Sequence, residues 1–250
     1  MTDFEHKLFD EVYTLGKINS TVARSLKMIK QAEANGNFLV ISDEQMAGHG
    51  RNKKSWFSPD GGIYMSANLY GLIVEPSLTL FVGICIHKAL LDSFPYLKND
   101  LHIKWPNDIY LDNLKLGGIL TVHQPRQRYH SIGIGLNTNI DEFPAELQAT
   151  ATSLLCCLHF QIDNQKLIDK IFDHFMQDFP DYIEHGLDQQ YYNQYSFLAG
   201  KEVVLDSGFD HYQGICKGIN KNGALVLQLP SKMIQPFYAG SIISWQTPQD

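Results

Sequence analysis

A run of glycines and cations, with the sequence G-H-G-R-N-K-K-S-W from Gly48 to Trp56, has residue types that suit ligand binding. The glycines permit positive φ and let backbone N–H groups approach a ligand closely, while Arg51 and Lys54 add full positive charge. The indole of Trp56 offers a flat apolar face to a ring. We therefore predict an anion-binding loop; a solvated basic loop, the alternative, would have the same composition.

Three further segments place polar residues or glycines beside apolar runs. Ser20-Thr21 precedes residues with helical spacing, so a simple N-cap explains it as well as a ligand contact does. The K-W-P-N-D motif at residues 104–108 is followed by Lys115. The pairs Gly117-Gly118 and Gly133-x-Gly135 interrupt apolar strands, which indicates either a ligand packed against the sheet or bulges and close sheet packing.

Hydrophobic periodicity predicts the elements that would position these segments. The predicted helices are 4–15 (ended by Gly16), 22–29 (ended by Gly36), 78–89 and 167–176. The predicted strands are 37–42, 63–69, 101–111 (running into Pro106, then a hairpin at Asp112-Asn113), 115–120 and 132–137. After Gly200, the short segments 202–205, 212–217, 224–229 and 242–245 predict a small β-barrel.

The overall composition excludes several classes of protein. With 250 residues and 44% hydrophobic residues the chain can bury a substantial core, and the net charge of −7 argues against a protein that coats nucleic acid. The sequence has no run of about 18 apolar residues and no charged-then-apolar leader, so we expect a cytoplasmic protein. The four cysteines lack C-x-x-C spacing, which favours reduced, buried thiols.

Other familiar chemistries lack their motifs. No H-x-x-x-H pair, Cys/His quartet or G-x-S-x-G elbow is present, so neither a metal site nor a nucleophilic side chain is expected. Gly133-x-Gly135 is followed by Thr138 where a dinucleotide fingerprint has its third glycine, and it ends a strand rather than preceding a helix. A Rossmann site is therefore disfavoured.

Taken in order, G-H-G-R-N-K-K-S-W, K-W-P-N-D, K-L-G-G-I-L and G-I-G-L-N resemble the motifs of the biotin protein ligase family. The resemblance covers about Ser20 to Asn137 and extends to a C-terminal barrel. It implies an α+β fold with a mixed, largely antiparallel sheet packed with helices, plus a small SH3-like β-barrel. The expected domains are residues 1–197 for catalysis and 198–250 for the barrel.

The implied reaction has two steps. Biotin and Mg-ATP give biotinyl-5′-AMP and pyrophosphate, and a lysine of a biotin carboxyl carrier protein or biotinyl acceptor domain of a carboxylase then attacks the mixed anhydride. ATP, Mg²⁺ and biotin are thus the expected ligands, with no dedicated protein metal ligands. Cations must offset the repulsion between carboxylate and triphosphate.

The resemblance also implies roles for single residues. Ser20, Thr21 and Gln45 would hydrogen-bond the ureido ring of biotin. The catalytic cations would be Arg51, Lys104 and Lys115, with Lys115 facing the carboxylate and the phosphate of the adenylate. Backbone or small side chains would shape the loop and the slot for the ring and valeryl chain at Gly48, His49, Gly50, Gly117, Gly118, Leu120, Gly133 and Gly135. On the nucleotide side stand Lys54, Trp56 (stacked on adenine), Asn107, Asp108 (loop or Mg-ATP) and Asn137.

The sequence departs from the family pattern at four positions. Val22 replaces Asn and Val122 replaces Glu, which affects secondary polar contacts. His49 replaces an arginine at a position expected to contribute its backbone, and Lys53 replaces a glycine, which would change how the loop closes over the adenylate. Nineteen residues precede Ser20, too few for the winged helix of some members, so no DNA binding is expected. A monomer and a homodimer both fit. The alternatives are a lipoate or octanoate ligase of the same superfamily, whose glycine and histidine motifs are absent, and a non-catalytic biotin-binding regulator.

Overall fold

The computed structural model describes residues 4–72 and 77–247, which form two compact units. Among these residues, the first unit comprises 4–72 and 113–176, and the second comprises 77–112 and 177–247. The helices are α1 (Thr21–Gln31), α2 (Leu78–Ser93), α3 (Leu154–Leu158), α4 (Asn164–His185) and α5 (Gln189–Gln194). The strands are β1 (Glu11–Ile18), β2 (Phe38–Gln45), β3 (Ile63–Tyr70), β4 (Leu101–Lys104), β5 (Asp108–Leu111), β6 (Leu114–Gln124), β7 (Tyr129–Leu136), β8 (Glu202–Asp206), β9 (His211–Ile219), β10 (Leu225–Gln228), β11 (Ile234–Phe237) and β12 (Ser241–Gln246).

The sheet of the first unit places the strands in the order β1-β2-β3-β7-β6. Strands β1 and β2 pair in parallel, whereas β2 with β3, β3 with β7, and β7 with β6 pair antiparallel. Side chains alternate between the two faces of each strand. One face carries apolar residues, among them Ile41, Ile63, Met65 and Ile134, all at most 3% exposed. The predicted mixed, largely antiparallel sheet is confirmed.

Helix α1 packs on the other face of this sheet, in contact with β2, β3 and β7. The Ser20 hydroxyl caps the helix by accepting a hydrogen bond from the Ala23 N–H at 3.3 Å. The helix buries Val22, Met28 and Ile29 against the sheet. Its C-cap is Ala32 in the left-handed region (φ 53°), so the helix ends before Gly36, the predicted stop.

The second unit contains the antiparallel hairpin of β4 and β5, the helix α2, and a five-stranded sheet in the order β11-β10-β9-β8-β12. Every pair in the five-stranded sheet is antiparallel. The α+β class and the separate C-terminal sheet are therefore confirmed. Strand β11 contains Pro236, which removes a backbone donor, and β11 lies at an edge of the sheet where that loss is tolerated.

Three secondary-structure predictions require correction, and one strand was missed. The predicted opening helix at residues 4–15 is wrong: Glu11–Ile18 is a strand that contains Gly16, and its Val, Tyr, Thr and Ile residues favour extended backbone. The predicted strand 101–111 is two strands that fold back at Trp105–Asn107. Helix α4 begins earlier than predicted and continues past Pro180 to His185. Strand β11 was not predicted.

Candidate functional site

The side-chain amide of Gln45 joins the end of β2 to the start of α1. Its Oε1 accepts hydrogen bonds from the Thr21 backbone N–H at 2.9 Å and from the Thr21 hydroxyl at 3.1 Å. Its Nε2 donates to the Ser58 hydroxyl at 3.0 Å, which in turn donates to the Trp56 carbonyl at 3.1 Å. Thr21 and Gln45, two of the residues predicted to bind biotin, are thus held together by hydrogen bonds, while the Ser20 hydroxyl makes the predicted N-cap bond.

Short backbone bonds close the Gly48–Trp56 loop upon itself. The Trp56 N–H donates to the Gly48 carbonyl at 2.9 Å, and the Gly50 N–H donates to the Lys54 carbonyl at 2.8 Å. The left-handed residues are Asn52 (φ 54°) and Lys53 (φ 57°), so the loop does not use the positive φ that Gly48 and Gly50 permit. A glycine in place of Lys53, as in the family pattern, would adopt this conformation without a Cβ penalty.

Gly48 has a different reason to be glycine. A Cβ there would lie 2.7 Å from the Ser58 hydroxyl and 2.9 Å from the Trp56 carbonyl, closer than real contacts allow. A Cβ at Gly50 would meet only the Lys54 carbonyl at 4.0 Å. The first glycine therefore serves the packing of the loop, and the second leaves open space beside its backbone.

Four of the predicted slot residues lie on one face of the first unit's sheet, whereas Gly117, which is paired with Leu136, faces the other side and does not join them. Gly135 is directly opposite Gly118, and Gly133 is directly opposite Leu120, so all four side-chain positions share a face. A Cβ at Gly135 would lie 2.6 Å from Nε1 of Trp56, and a Cβ at Gly133 would lie 2.5 Å from Cγ2 of Val22. The missing side chains let the Trp56 indole and helix α1 approach the sheet.

Polar groups that the sequence reasoning missed lie on this same face. Tyr64 and Ser66 of β3 are paired with Gly135 and Gly133, and Ser42 of β2 is paired with Tyr64. Their three oxygens, and the indole nitrogen of Trp56, are buried and have no hydrogen-bond partner among the described residues. Burial raises the pKa of Tyr64, which keeps its phenol neutral. Buried polar atoms are normally paired, so this face suits a ligand with its own donors and acceptors.

Lys115 and Asn137 are held by the segment just before α3. The Lys115 N–H donates to the Thr150 carbonyl at 2.9 Å, and the Lys115 carbonyl accepts from the Thr152 N–H at 3.0 Å. The Asn137 side-chain amide donates to the Thr152 carbonyl at 3.0 Å. The Lys115 ammonium lies 5.3 Å from the centroid of the Trp56 ring, so the structure brings the predicted carboxylate partner beside the predicted adenine partner.

Two predicted site residues stand at the turn of the β4–β5 hairpin in the second unit. Asn107 lies in this turn, and Asp108 opens β5 opposite Lys104. The Lys104 side chain is only 6% exposed, and its ammonium donates to the Tyr110 hydroxyl at 3.0 Å. The Trp105 indole donates to the Gly223 carbonyl at 3.1 Å. In the first unit, the predicted cation Arg51 opens a short 3₁₀ turn and is half-buried.

A cavity of about 300 Å³ lies on the opposite, apolar face of the first unit's sheet. Its lining combines apolar side chains with the polar residues around the start of α4, and includes Ile41, Ile63, Ile168, Asp163, Asn164 and Gln165. Across residues 4–72 and 77–247, no three or more His, Cys, Asp or Glu side chains are grouped to hold a metal ion. Within the same residues, none of the helices is both long and apolar enough to span a membrane.

Comparison with known proteins gives the class to which this fold and site belong. Residues 15–139 match the model of the biotin/lipoate A/B protein ligase family, and residues 199–245 match that of the biotin protein ligase C-terminal domain. The chain belongs to the biotin/lipoate A/B protein ligase family.

Three similar proteins carry ligase names, and two of these names specify biotin. The bifunctional ligase/repressor BirA of Bacillus spizizenii is 31% identical over 249 residues, which cover 95% of this chain and 74% of that protein. The biotin–[acetyl-CoA-carboxylase] ligase of Paracoccus denitrificans is 26% identical over 87% of this chain and 94% of its own. A biotin protein ligase from Aquifex aeolicus, solved in complex with biotin and ATP, shares the fold with a TM-score of 0.83 at 23% identity, covering 96% of this chain and 100% of that one. Against other curated relatives the chain spans 65%, 54% and 48% of their length.

Proposed function

We propose that this protein is an ATP-dependent biotin protein ligase, which forms biotinyl-5′-AMP and then transfers biotin to a lysine of an acceptor domain. Family membership and the names of the relatives support the class of reaction. The single structural observation that carries the proposal is the face of the first unit's sheet. There, Gly118, Gly133 and Gly135 remove side-chain bulk beside buried polar atoms that have no partner among the described residues.

The chemistry of biotin fits that face. Its ureido group has two N–H donors and a carbonyl acceptor, which complement hydroxyl groups such as those of Ser42, Tyr64 and Ser66. Its sulfur-containing ring and valeryl chain are apolar and need a slot that bulky side chains on the strands do not fill. A lipoyl dithiolane ring has no such donors or acceptors and would leave the buried hydroxyls unpaired, which sites of this kind reject strongly. Biotin is therefore favoured over lipoate and octanoate.

Activation of the biotin carboxylate requires positive charge, which offsets its repulsion from the ATP phosphates, and a site without water, which would hydrolyse the adenylate. We assign Lys115 to the biotin carboxylate and the α-phosphate, because its ammonium lies next to the Trp56 ring. The indole would stack on adenine, and Arg51 and Lys54 of the loop would offset phosphate charge. Ordered N–H groups and cations stabilise the charge that develops as the carboxylate attacks and pyrophosphate leaves.

Mg²⁺ enters the proposal only as the ion carried by ATP. The described residues show no cluster suited to hold it, and Mg²⁺ in such sites keeps several waters and binds substrate phosphates. The acceptor is proposed to be a biotin carboxyl carrier domain. The division at residues 197/198, the cytoplasmic location and the monomeric or dimeric state stay predictions.

Label transfer tests the function directly. The protein is incubated with Mg-ATP, a purified biotin carboxyl carrier domain and radiolabelled biotin, with radiolabelled lipoate in a parallel reaction. We expect label on the acceptor from biotin alone, and none on an acceptor whose target lysine is replaced by arginine. Label from lipoate alone would contradict the proposal. A bound but untransferred biotin would instead indicate the non-catalytic regulator.

A further inference from the structure

Lys104 of the K-W-P-N-D motif has aromatic neighbours from the C-terminal sheet. Its ammonium lies 3.8 Å from the centroid of the Trp245 ring on β12 and 4.7 Å from the centroid of the Tyr110 ring on β5. The same ammonium donates to the Tyr110 hydroxyl at 3.0 Å. All three residues belong to the second unit. The ammonium is thus close to aromatic rings, whose π faces carry negative charge density, and to a hydroxyl oxygen that accepts its hydrogen bond.

The rings themselves are fixed by packing. Phe197, only 4% exposed, contacts Tyr110 with ring centroids 4.7 Å apart and Trp245 with centroids 5.6 Å apart. Tyr110 and Trp245 are themselves nearly perpendicular, 6.2 Å apart. Burial raises the pKa of the Tyr110 phenol, so it remains a neutral hydrogen-bonding group. The aromatic cluster of Tyr110, Phe197 and Trp245 is therefore a rigid support.

A rigid support matters because a lysine side chain is otherwise flexible. An ammonium on a four-carbon stem loses rotamer freedom when it must hold one position. The attraction between the cation and an aromatic face offsets this entropic cost, and it is strongest where water is excluded. We propose that Trp245 and Tyr110 are positioning residues that hold the charged Lys104 ammonium in place for the phosphates of ATP. This inference rests on the proposed function, and it takes Lys104, one of the three catalytic cations that the family resemblance implies, as a cation for the ATP phosphates.

The proposal gives the C-terminal sheet a role in the first half of the reaction. Trp245 is on β12, which pairs with β8 at the edge of that sheet. Its ring is 3.8 Å from a residue of the K-W-P-N-D motif, so a change in the sheet is transmitted to Lys104 through one side chain. Loss of the ring should weaken ATP binding and leave biotin binding unchanged.

ATP affinity in Trp245→Leu and Trp245→Phe is the first test, measured by competition with a fluorescent ATP analogue. We expect Trp245→Leu to weaken ATP binding about three- to thirty-fold, the range of a desolvated cation–π contact, and Trp245→Phe to stay within about three-fold. Tyr110→Phe keeps the ring and loses the hydroxyl, so a smaller loss of about two- to ten-fold is expected. Thermal unfolding and biotin affinity are recorded for each variant to show that the fold is intact.

Lys201 provides the matched control. Its ammonium lies 3.4 Å from the centroid of the Phe197 ring, on the same aromatic cluster, and desolvation lowers its pKa. Lys201→Met should leave ATP affinity within about two-fold. A loss as large as that of Trp245→Leu would show that any disturbance of the cluster weakens ATP binding, and would overturn the positioning role.

A double-mutant cycle separates positioning from general stabilisation. In a Lys104→Met background, Trp245→Leu should cause no further loss of ATP affinity, because the cation that the ring positions is gone. An equal loss in both backgrounds would overturn the proposal. A second readout does not depend on the reaction: the rate at which an amine-acylating reagent modifies Lys104, followed by peptide mass spectrometry. We expect slow modification in the wild type and at least about ten-fold faster modification in Trp245→Leu, as the ring's removal exposes the amine.

The two readouts distinguish the possible failures. If the wild type binds no ATP but Lys104 acylation still accelerates in Trp245→Leu, the proposed function is wrong and the aromatic support of Lys104 stands. If ATP binds and neither affinity nor acylation responds to Trp245→Leu, the support is wrong and the proposed function stands.

Discussion

Replacement of Gly133 by alanine tests why the sheet carries a glycine under helix α1. The added Cβ would lie 2.5 Å from Cγ2 of Val22, a side chain only 6% exposed. Ordinary carbon contacts are about 3.5–4.0 Å, so the helix or the strand must retreat by about 1 Å. Overpacking of this kind typically costs about 1–3 kcal/mol of unfolding free energy. We expect Gly133→Ala to lower stability by that amount, measured by denaturant unfolding.

The structure also predicts how the loss is recovered. Val22→Ala removes the methyl group that would clash and alone costs about 1–3 kcal/mol, from lost burial and a small cavity. In the double variant Gly133→Ala/Val22→Ala, the new methyl group occupies part of that space. The two losses should therefore be less than additive by at least about 1 kcal/mol.

Gly135→Ala is the control for this rescue. Its Cβ would approach the Trp56 indole rather than Val22, so combination with Val22→Ala should give additive losses within about 0.5 kcal/mol. Additive losses for Gly133→Ala and Val22→Ala as well would refute the contact between α1 and β7. The biotin affinity of the double variant then reports whether Gly133 is also a wall of the slot. A lower affinity than that of Val22→Ala alone indicates that it is.

Three other predictions concern the loop, the second unit and the reaction. Gly48→Ala should lower the unfolding free energy by about 1–3 kcal/mol because its Cβ meets backbone and a hydroxyl, whereas Gly50→Ala, with open space, should change it by less than about 0.5 kcal/mol; equal losses would contradict the loop geometry. Burial lowers the pKa of His87 to about 4, whereas its pKa in the unfolded state is about 6.5, so the unfolded state binds the proton more readily. The free energy of unfolding should therefore fall by roughly 3 kcal/mol as the pH drops from 6.5 to 4. His87→Gln should reduce this pH dependence, measured by denaturant unfolding at each pH. Lys115→Ala removes the cation assigned to the carboxylate and the α-phosphate, so it should lower the rate of adenylate formation by at least about 100-fold and leave the unfolding curve unchanged. A wild-type rate in this variant would show that Lys115 takes no part in the reaction.

The motifs of the site could be predicted from sequence because their residue types are unusual where they stand. Paired glycines such as Gly117-Gly118 stand out because they weaken the packing of an apolar strand. Cations such as Arg51 stand out because they are clustered in a loop rich in glycine. The contacts beneath them could not be predicted. The approach of Val22 to Gly133 joins residues more than a hundred positions apart, and only the pairing of β3 with β7 places Ser66 beside that glycine.

Local propensity misled the sequence reasoning in two places. The spacing of Phe4, Leu8, Val12 and Leu15 fits a helix, but pairing with β2 makes Glu11–Ile18 a strand, so tertiary contacts override the pattern. The left-handed residues of the loop are Asn52 and Lys53 rather than the glycines beside them.

The polar residues of β3 could have been noticed in the sequence, because Tyr64 and Ser66 alternate with apolar neighbours in a strand that is otherwise buried.

Biotin-dependent exchange of labelled pyrophosphate into ATP tests the central claim most directly, because it reports formation of biotinyl-5′-AMP without an acceptor. The account predicts exchange that requires biotin and Mg-ATP, is not supported by lipoate, and is lost in Lys115→Ala. Exchange that proceeds without biotin, or with lipoate in its place, would contradict it, as would the absence of exchange from a folded protein that binds both substrates.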